Sequence, residues 1–257
     1  MAADNVELVR RFYDALNAND LASMRELCDK IEYVNPVQAA EPGTRIGLDA
    51  FRAAFATLHA SFENFRCEID ALTPVTDAVV VVARSTGTGR MSAIPFEEVH
   101  GHLLTLSNGR IASFRWFHGV DEAYAAAHAR SFREGLEAYS RGDYETALVG
   151  FHPDIEWSVE TDLVPDAGIY RGHDGVRRFW AEWAEVIEGM TLEVDECQAI
   201  DDELVLAITR AAGTGAGSGA SVASGRFAQL AQFRDGEVVR VRLFGEVRNA
   251  RAAAGLD

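Results

Sequence analysis

Gly47-Leu-Asp-Ala-Phe-Arg52 returns 125 residues later as Gly172-His-Asp-Gly-Val-Arg177. Upstream of it, Ile31-Glu-Tyr33 returns as Ile155-Glu-Trp157, and Asn17-Ala-Asn-Asp20 as Ser140-Arg-Gly-Asp143. Downstream, Arg84-Ser-Thr-Gly87 returns as Arg210-Ala-Ala-Gly213, and Asn108-Gly-Arg-Ile111 as Asp235-Gly-Glu-Val238. The offset climbs from 123 to 127 along the chain, one residue at a time, as short loop insertions would make it. Five matches in order at a nearly constant spacing mark two homologous domains, residues 1–122 and 123–257, each of ordinary domain size.

Each half spells the same series of elements. Val6, Val9, Tyr13 and Leu16 share one helical face and predict a first helix over Asn5–Asn17; Phe132, Leu136 and Tyr139 predict its partner over Ser131–Ser140. Asp20 and Asp143 are placed to cap a short second helix. Short strands at Ile31–Asn35 and Ile155–Val159 precede a third helix after Gly47 or Gly172. Alternation then predicts strands at Arg66–Ala71, Ala78–Thr86, Pro95–Leu106 and Ile111–His118. Their counterparts are Thr191–Cys197, Glu203–Ala211, Ser221–Phe233 and Val238–Gly245. Helices first and antiparallel strands after is an α+β order. The joint Asp121–Arg141 holds no proline and an alanine run, which predicts a stiff helix with the two domains in a fixed orientation.

Lys and Arg total 24 against 40 Asp and Glu, a net charge of −16. Such an acidic protein repels phosphate backbones and anionic lipid, so neither nucleic acid nor membrane is an expected partner. No apolar run approaches the length of a bilayer span, and the first residues carry neither a basic stretch nor an apolar core of a signal peptide. Cys28, Cys67 and Cys197 are odd in number and scattered, which argues against a disulfide framework and favours the cytoplasm; with no basic partner in sequence they read as inert. Gly213-Thr-Gly-Ala-Gly-Ser-Gly219 lacks the Lys and Ser/Thr of a phosphate loop and reads as a flexible hairpin loop, as does Gly87-Thr-Gly-Arg90. Asp195-Glu196 and Asp201-Asp202-Glu203 read as solvated strand end and turn.

The series of helix, Asn/Arg-x-Asp, apolar-Glu-aromatic strand, Gly-x-Asp-x-x-Arg helix and Asp/Asn-Gly hairpin resembles the SnoaL-like, or nuclear-transport-factor-2-like, superfamily. Phe151-His-Pro-Asp-Ile-Glu-Trp157, Tyr170-Arg-Gly-His-Asp-Gly-Val-Arg177 and Phe233-Arg-Asp-Gly-Glu-Val238 make the second half the closer match. The resemblance implies two tandem cone-shaped α+β domains, each a curved antiparallel sheet wrapped around about three helices, with a pocket at the open end. It implies little about function, because the family includes polyketide cyclases, ketosteroid isomerases, epoxide hydrolases, dehydratases and non-catalytic members.

Ser107-Asn-Gly109 reads as a three-residue hairpin loop, which pairs Leu106 with Arg110, His102 with Phe114, His100 with Trp116 and Glu98 with His118. The family's sheet turns that set inward, so the first pocket is expected to hold Tyr33, Asn35, Glu98, His100, His102, Trp116 and His118, with Tyr13 approaching from the helix. If Asn108-Gly109 is instead a two-residue type I′ turn, His118 moves to the other face. The same arithmetic lines the second pocket with Trp157, Val159, Gly225, Phe227, Gln229, Leu243 and Gly245, with Leu136 replacing Tyr13, none of which titrates. Phe51, Phe55, Trp180 and Trp183 read first as core and second as an apolar pocket wall.

In ketosteroid isomerase-like members an Asp on the first strand abstracts the proton. Asn35 and Val159 stand there, and neither can do so. The expected chemistry in the first domain is therefore different: His102 or His118 as base, His118 oriented by Glu98, and Asn35 and Tyr13 binding oxygen. His100, Tyr33, Trp116, Phe51, Phe55, Trp157 and Gln229 are the expected ligand-binding residues. The substrate is a small apolar or carbonyl-containing molecule, with no cofactor called for. His100, His102 and His118 also fit a three-His zinc face, although no metal is assigned. Two other readings stay open: a non-catalytic binder of an apolar metabolite, and a scaffold in which the fused domains form an internal pseudo-dimer, with or without further self-association. The scaffold would cover Val99, Leu103, Phe117, Leu230 and Phe244.

Overall fold

The computed structural model describes residues 2–28, 30–36, 42–160 and 168–256. The first amphipathic stripe folds as α1 (Ala2–Ala18), followed by α2 (Leu21–Cys28), β1 (Glu32–Asn35), β2 (Gly43–Ile46) and α3 (Leu48–Ser61). Four long strands complete the first sheet: β3 (Phe62–Val75), β4 (Ala78–Gly89), β5 (Pro95–Ser107) and β6 (Arg110–Phe117). The joint is one helix, α4 (Val120–Ser140), and the series then repeats as α5 (Tyr144–Leu148), β7 (Phe151–Glu160), β8 (Ile169–Arg171) and α6 (Gly172–Val186). The chain closes with β9 (Ile187–Ala199), β10 (Leu204–Gly215), β11 (Ser221–Arg234), β12 (Glu237–Phe244) and α7 (Val247–Ala253). Met1–Ala127 and His128–Asp257 form two compact units.

Both sheets have six strands, in the orders β2-β1-β6-β5-β4-β3 and β8-β7-β12-β11-β10-β9. They are antiparallel except where the short first strand of each repeat joins its last strand in parallel, β1 with β6 and β7 with β12. In the first unit Val9, Phe12, Phe51, Val79, Leu104 and Phe114 meet in a core between the helices and the inner sheet face. Phe132, Val176, Phe179, Val205, Phe233 and Val241 do the same in the second.

The outward positions named for the scaffold reading have partners within their own units, except Val99. Leu103 packs with Ala123 and Ala127 of α4, and Phe117 lies against the same cluster. Leu230 and Phe244 are buried with Ala250 of α7, while Val99 remains exposed. Part of each outer face is thus covered by a helix of its own unit. Gly101 of β5 makes this possible, since a Cβ there would sit 2.6 Å from the Ala123 Cβ and 2.9 Å from the Gly119 oxygen.

Other departures have local causes. The short edge strands β2 and β8 and the helix α7 had no periodic pattern long enough to predict them. The glycine runs expected as loops extend into strands, Gly87–Gly89 in β4 and Gly213–Gly215 in β10, while 216–219 form the expected hairpin loop between β10 and β11. A Cβ on Gly213 would meet Ile187 Cγ2 at 2.4 Å, so the glycine admits a close neighbour and is not there to loosen a loop.

The expected caps are present. Asp143 Oδ1 accepts from the Thr146 amide at 3.2 Å, and Asp20 Oδ1 from the Ala22 and Ser23 amides at 3.1 and 3.3 Å. Replacing Asp143 by Ala is expected to cost about 1 kcal/mol, read as a lower urea midpoint with an unchanged slope.

Candidate active site

The position of the site is set by one hairpin. Asn108 and Gly109 both have positive φ, 51° and 70°, and close a two-residue turn that pairs Ser107 with Arg110. Alone, that turn would send His118 to the outer face. A bulge between Thr105 and Leu106 adds one residue to β6, so Thr105 faces Ser113 and His102 faces Trp116. The register therefore differs from the expected one by two residues, an even number, and every side chain keeps its face. Asp235 and Gly236, at 52° and 85°, and a bulge between Gln232 and Phe233 do the same in the second sheet.

The first unit holds a cavity of about 320 Å³ lined by Tyr33, Asn35, Glu98, His100, His102, Trp116 and His118, together with Phe55, Cys67 and Ser85. Tyr13 and Phe51 lie elsewhere. The Tyr13 hydroxyl is buried against His102 Nδ1 in a short hydrogen bond, and Phe51 lies in the core, packed between Tyr33 and Phe55. His100 Nε2 and Ser85 Oγ are 2.8 Å apart, while His100 Nδ1 is buried and has no hydrogen-bond partner. The imidazoles of His100 and His102 lie 4.6 Å apart, and Trp116 stands edge-on between His100 and His118. At the more open side, His118 Nδ1 is 3.8 Å from Glu98 Oε1, an ion-pair separation longer than a hydrogen bond.

Burial sets the charge states of the deep groups. It holds His102 well below the usual imidazole range, with a contribution from neighbouring His100. Burial, and then the charge of His118, lower His100 to about 4. Both imidazoles are therefore neutral near pH 7. Burial also keeps the Tyr13 phenol protonated and pushes the Cys67 thiol up to about 11, against the opposing hydrogen bond from Ser85.

Cys67 and Ser85 are the residues that sequence reasoning missed. They face each other across β3 and β4, and Asn17 of α1 pins Cys67 by two backbone hydrogen bonds of 2.8 and 2.9 Å. The repeat held the signal. Ser140 makes the same pair of bonds to Leu192, and Leu192 faces Ala211, so polar residues in one copy stand where the other has hydrocarbon. The three-donor cluster brought together is Cys67, His100 and His102, with ligating atoms within 4.8 Å of one another, and His118 is not part of it. Ligands of a tetrahedral zinc stand roughly 3.3–3.8 Å apart, so this cluster would have to contract to hold one.

The second unit encloses a cavity of about 270 Å³. Trp157, Gly225, Phe227, Gln229, Leu243, Gly245 and Leu136 line it as expected, but Val159 does not, and Tyr139 and Arg226 add titratable groups that were not foreseen. Counting along the repeat, Tyr13, Cys67, Ser85, Glu98, His100, His102 and His118 correspond to Leu136, Leu192, Ala211, Gly225, Phe227, Gln229 and Gly245. All seven of the latter line the second cavity.

Among the described residues, no helix is long and apolar enough to cross a membrane. The model of the SnoaL-like domain matches twice, over residues 9–114 and 132–241. No curated protein matches. Among solved structures, the chain is similar to a putative SnoaL-like polyketide cyclase from a Jannaschia species: 24% identity, 45% of this chain and 85% of that one, TM-score 0.40. It is similar to a nuclear-transport-factor-2-like protein from Burkholderia thailandensis: 27% identity, 47% and 94% coverage, TM-score 0.40. It is similar also to TerC, co-crystallised with polyporic acid: 21% identity, 50% and 98% coverage, TM-score 0.42. With the same domain model matching both halves of one α+β repeat, the chain belongs to the SnoaL-like family as a tandem of two such domains.

Proposed function

We propose that the first unit is a cofactor-independent acid/base site of the isomerase, cyclase or dehydratase type, acting on a small ring compound that carries a carbonyl. The supporting observation is that His100, His102, His118 and Glu98 line one cavity whose remaining wall is largely aromatic, whereas the second unit has Phe, Gln and two Gly at those positions.

His118 is the base. It takes a proton from the carbon beside the carbonyl, and the Glu98 carboxylate stabilises the imidazolium that forms. His102 is the electrophile. Tyr13 donates its hydroxyl proton to Nδ1, which leaves the neutral imidazole its own proton on Nε2 for the developing oxyanion. Asn35 adds an amide donor to that oxygen, and His118 returns its proton to the product. Tyr33, Phe55 and Trp116 hold the ring. Tyr13 acts through His102 as a positioning residue, and Phe51 supports the wall from within the core. Acidity, thiol cysteines and the absence of a disulfide among Cys28, Cys67 and Cys197 accord with a cytoplasmic setting.

Exchange of the α-protons of β-tetralone in D2O, followed by NMR, requires only a base and an oxyanion donor. The protein is expected to accelerate it, and His118→Ala and His102→Gln each to slow it at least ~100-fold. Exchange no faster than in buffer, or undiminished in both variants, rejects the proposal.

A further inference from the structure

The second cavity has polar groups that nothing among the described residues answers. Trp157 Nε1 and Gln229 Oε1 are both buried without a hydrogen-bond partner, and both residues line it. A buried donor and a buried acceptor left unpaired at once are costly, and such groups are satisfied in nearly all folded proteins. The rest of the lining is carbon-rich, with Phe179, Trp180, Trp183, Leu192 and Leu243 among it. Among the described residues the one charged lining residue is Arg226, already engaged at 3.1 Å by Asp195.

The first unit shows what belongs at Gln229. There the corresponding residue, His102, is met by the Tyr13 hydroxyl from α1. In the second unit the residue corresponding to Tyr13 is Leu136, which lines the cavity and brings no polar atom. At this place the helix of the second unit carries hydrocarbon where the first unit has a phenol, while the strand keeps a polar residue, an amide.

We infer that the second unit binds an uncharged ring compound bearing a hydroxyl, and that this hydroxyl takes the place the Tyr13 phenol fills in the first unit. A hydroxyl both donates and accepts, so it meets the Gln229 amide in either orientation. A further oxygen on the ligand would accept from Trp157 Nε1–H. Among the described lining residues the charge of Arg226 is already paired, which favours an uncharged ligand over a carboxylate or phosphate. This inference uses no residue of the first cavity, so the exchange experiment above and the one below succeed or fail independently.

The test is calorimetric titration of the whole chain with β-naphthol and with naphthalene, which differ only by the hydroxyl. β-Naphthol is expected to bind at least ~10-fold more tightly. Gln229→Leu should bring its affinity down to that of naphthalene and leave naphthalene itself little changed. Leu136→Tyr, which returns a phenol to the helix, should remove the advantage of β-naphthol over naphthalene while keeping the far-UV circular dichroism of the parent. Equal affinities for the two compounds, as expected if water alone answers these groups, overturn the inference. So does a preference that survives Gln229→Leu, or one that survives Leu136→Tyr in a folded protein.

Discussion

Phe51→Ala is expected to destabilise the protein by about 3–5 kcal/mol. Phe51 is fully buried on α3, and its ring centroid lies 5.8 Å from Phe12, 5.2 Å from Tyr33, 4.7 Å from Phe55 and 5.7 Å from Phe114. It is the common neighbour of rings contributed by α1, β1, α3 and β6. Its removal leaves a void bounded by a sheet and two helices, none of which can collapse far enough to fill it. A loss of this size is a large share of the stability of a domain. Urea unfolding should show a markedly lower midpoint with an unchanged slope. An unchanged midpoint would mean that the ring belongs to the ligand pocket and not to the core.

Acid is expected to weaken the fold through the buried histidine pair. Folding lowers His100 from 6.5 to about 4. Between those values the unfolded chain binds more protons than the folded one, so stability falls as the pH falls. The contribution is fully present above about pH 7 and is lost progressively down to about pH 4, reaching about 3 kcal/mol for His100 at 1.36 kcal/mol per unit. His102, also lowered by burial, adds loss of the same sign. Denaturation at pH 7.5 and at pH 5 should therefore differ by about 2 kcal/mol from His100 alone, and His100→Gln should remove that share. A flat profile across this interval would show that the imidazoles are hydrated in the folded protein.

Much of the first cavity was legible before any coordinates. Strand alternation nominated Tyr33, Asn35, Glu98, His100, His102, Trp116 and His118, and all seven line it. The success owes something to cancellation. The assumed three-residue loop is in fact a type I′ turn, and the bulge after it restores the parity that the turn removes. A bulge is a one-residue event with no periodic signature, so its presence was invisible while its effect on the inward-facing set was nil. Cys67 read as inert, and burial, which pushes its thiol up to about 11, agrees; what was not legible is its place in the cavity wall. Its polar neighbours come from other strands, Ser85 across β4 and His100 and His102 on β5, and a search for nearby basic residues in sequence cannot find them.

Repetition, helical and strand periodicity and capping residues are local patterns carried by the chain in one dimension. They were enough to establish the tandem, the α+β order, the main elements and the difference in polarity between the two pockets. Contacts between distant segments are another matter. Which helix covers each outer face, which imidazole the Tyr13 phenol meets, and which polar atoms are left unanswered around Gln229 all depend on packing between elements many residues apart. Burial and pairing are properties of that packing, and through them tertiary structure alone sets the protonation of His100 and His102 and leaves Trp157 Nε1 and Gln229 Oε1 without partners among the described residues.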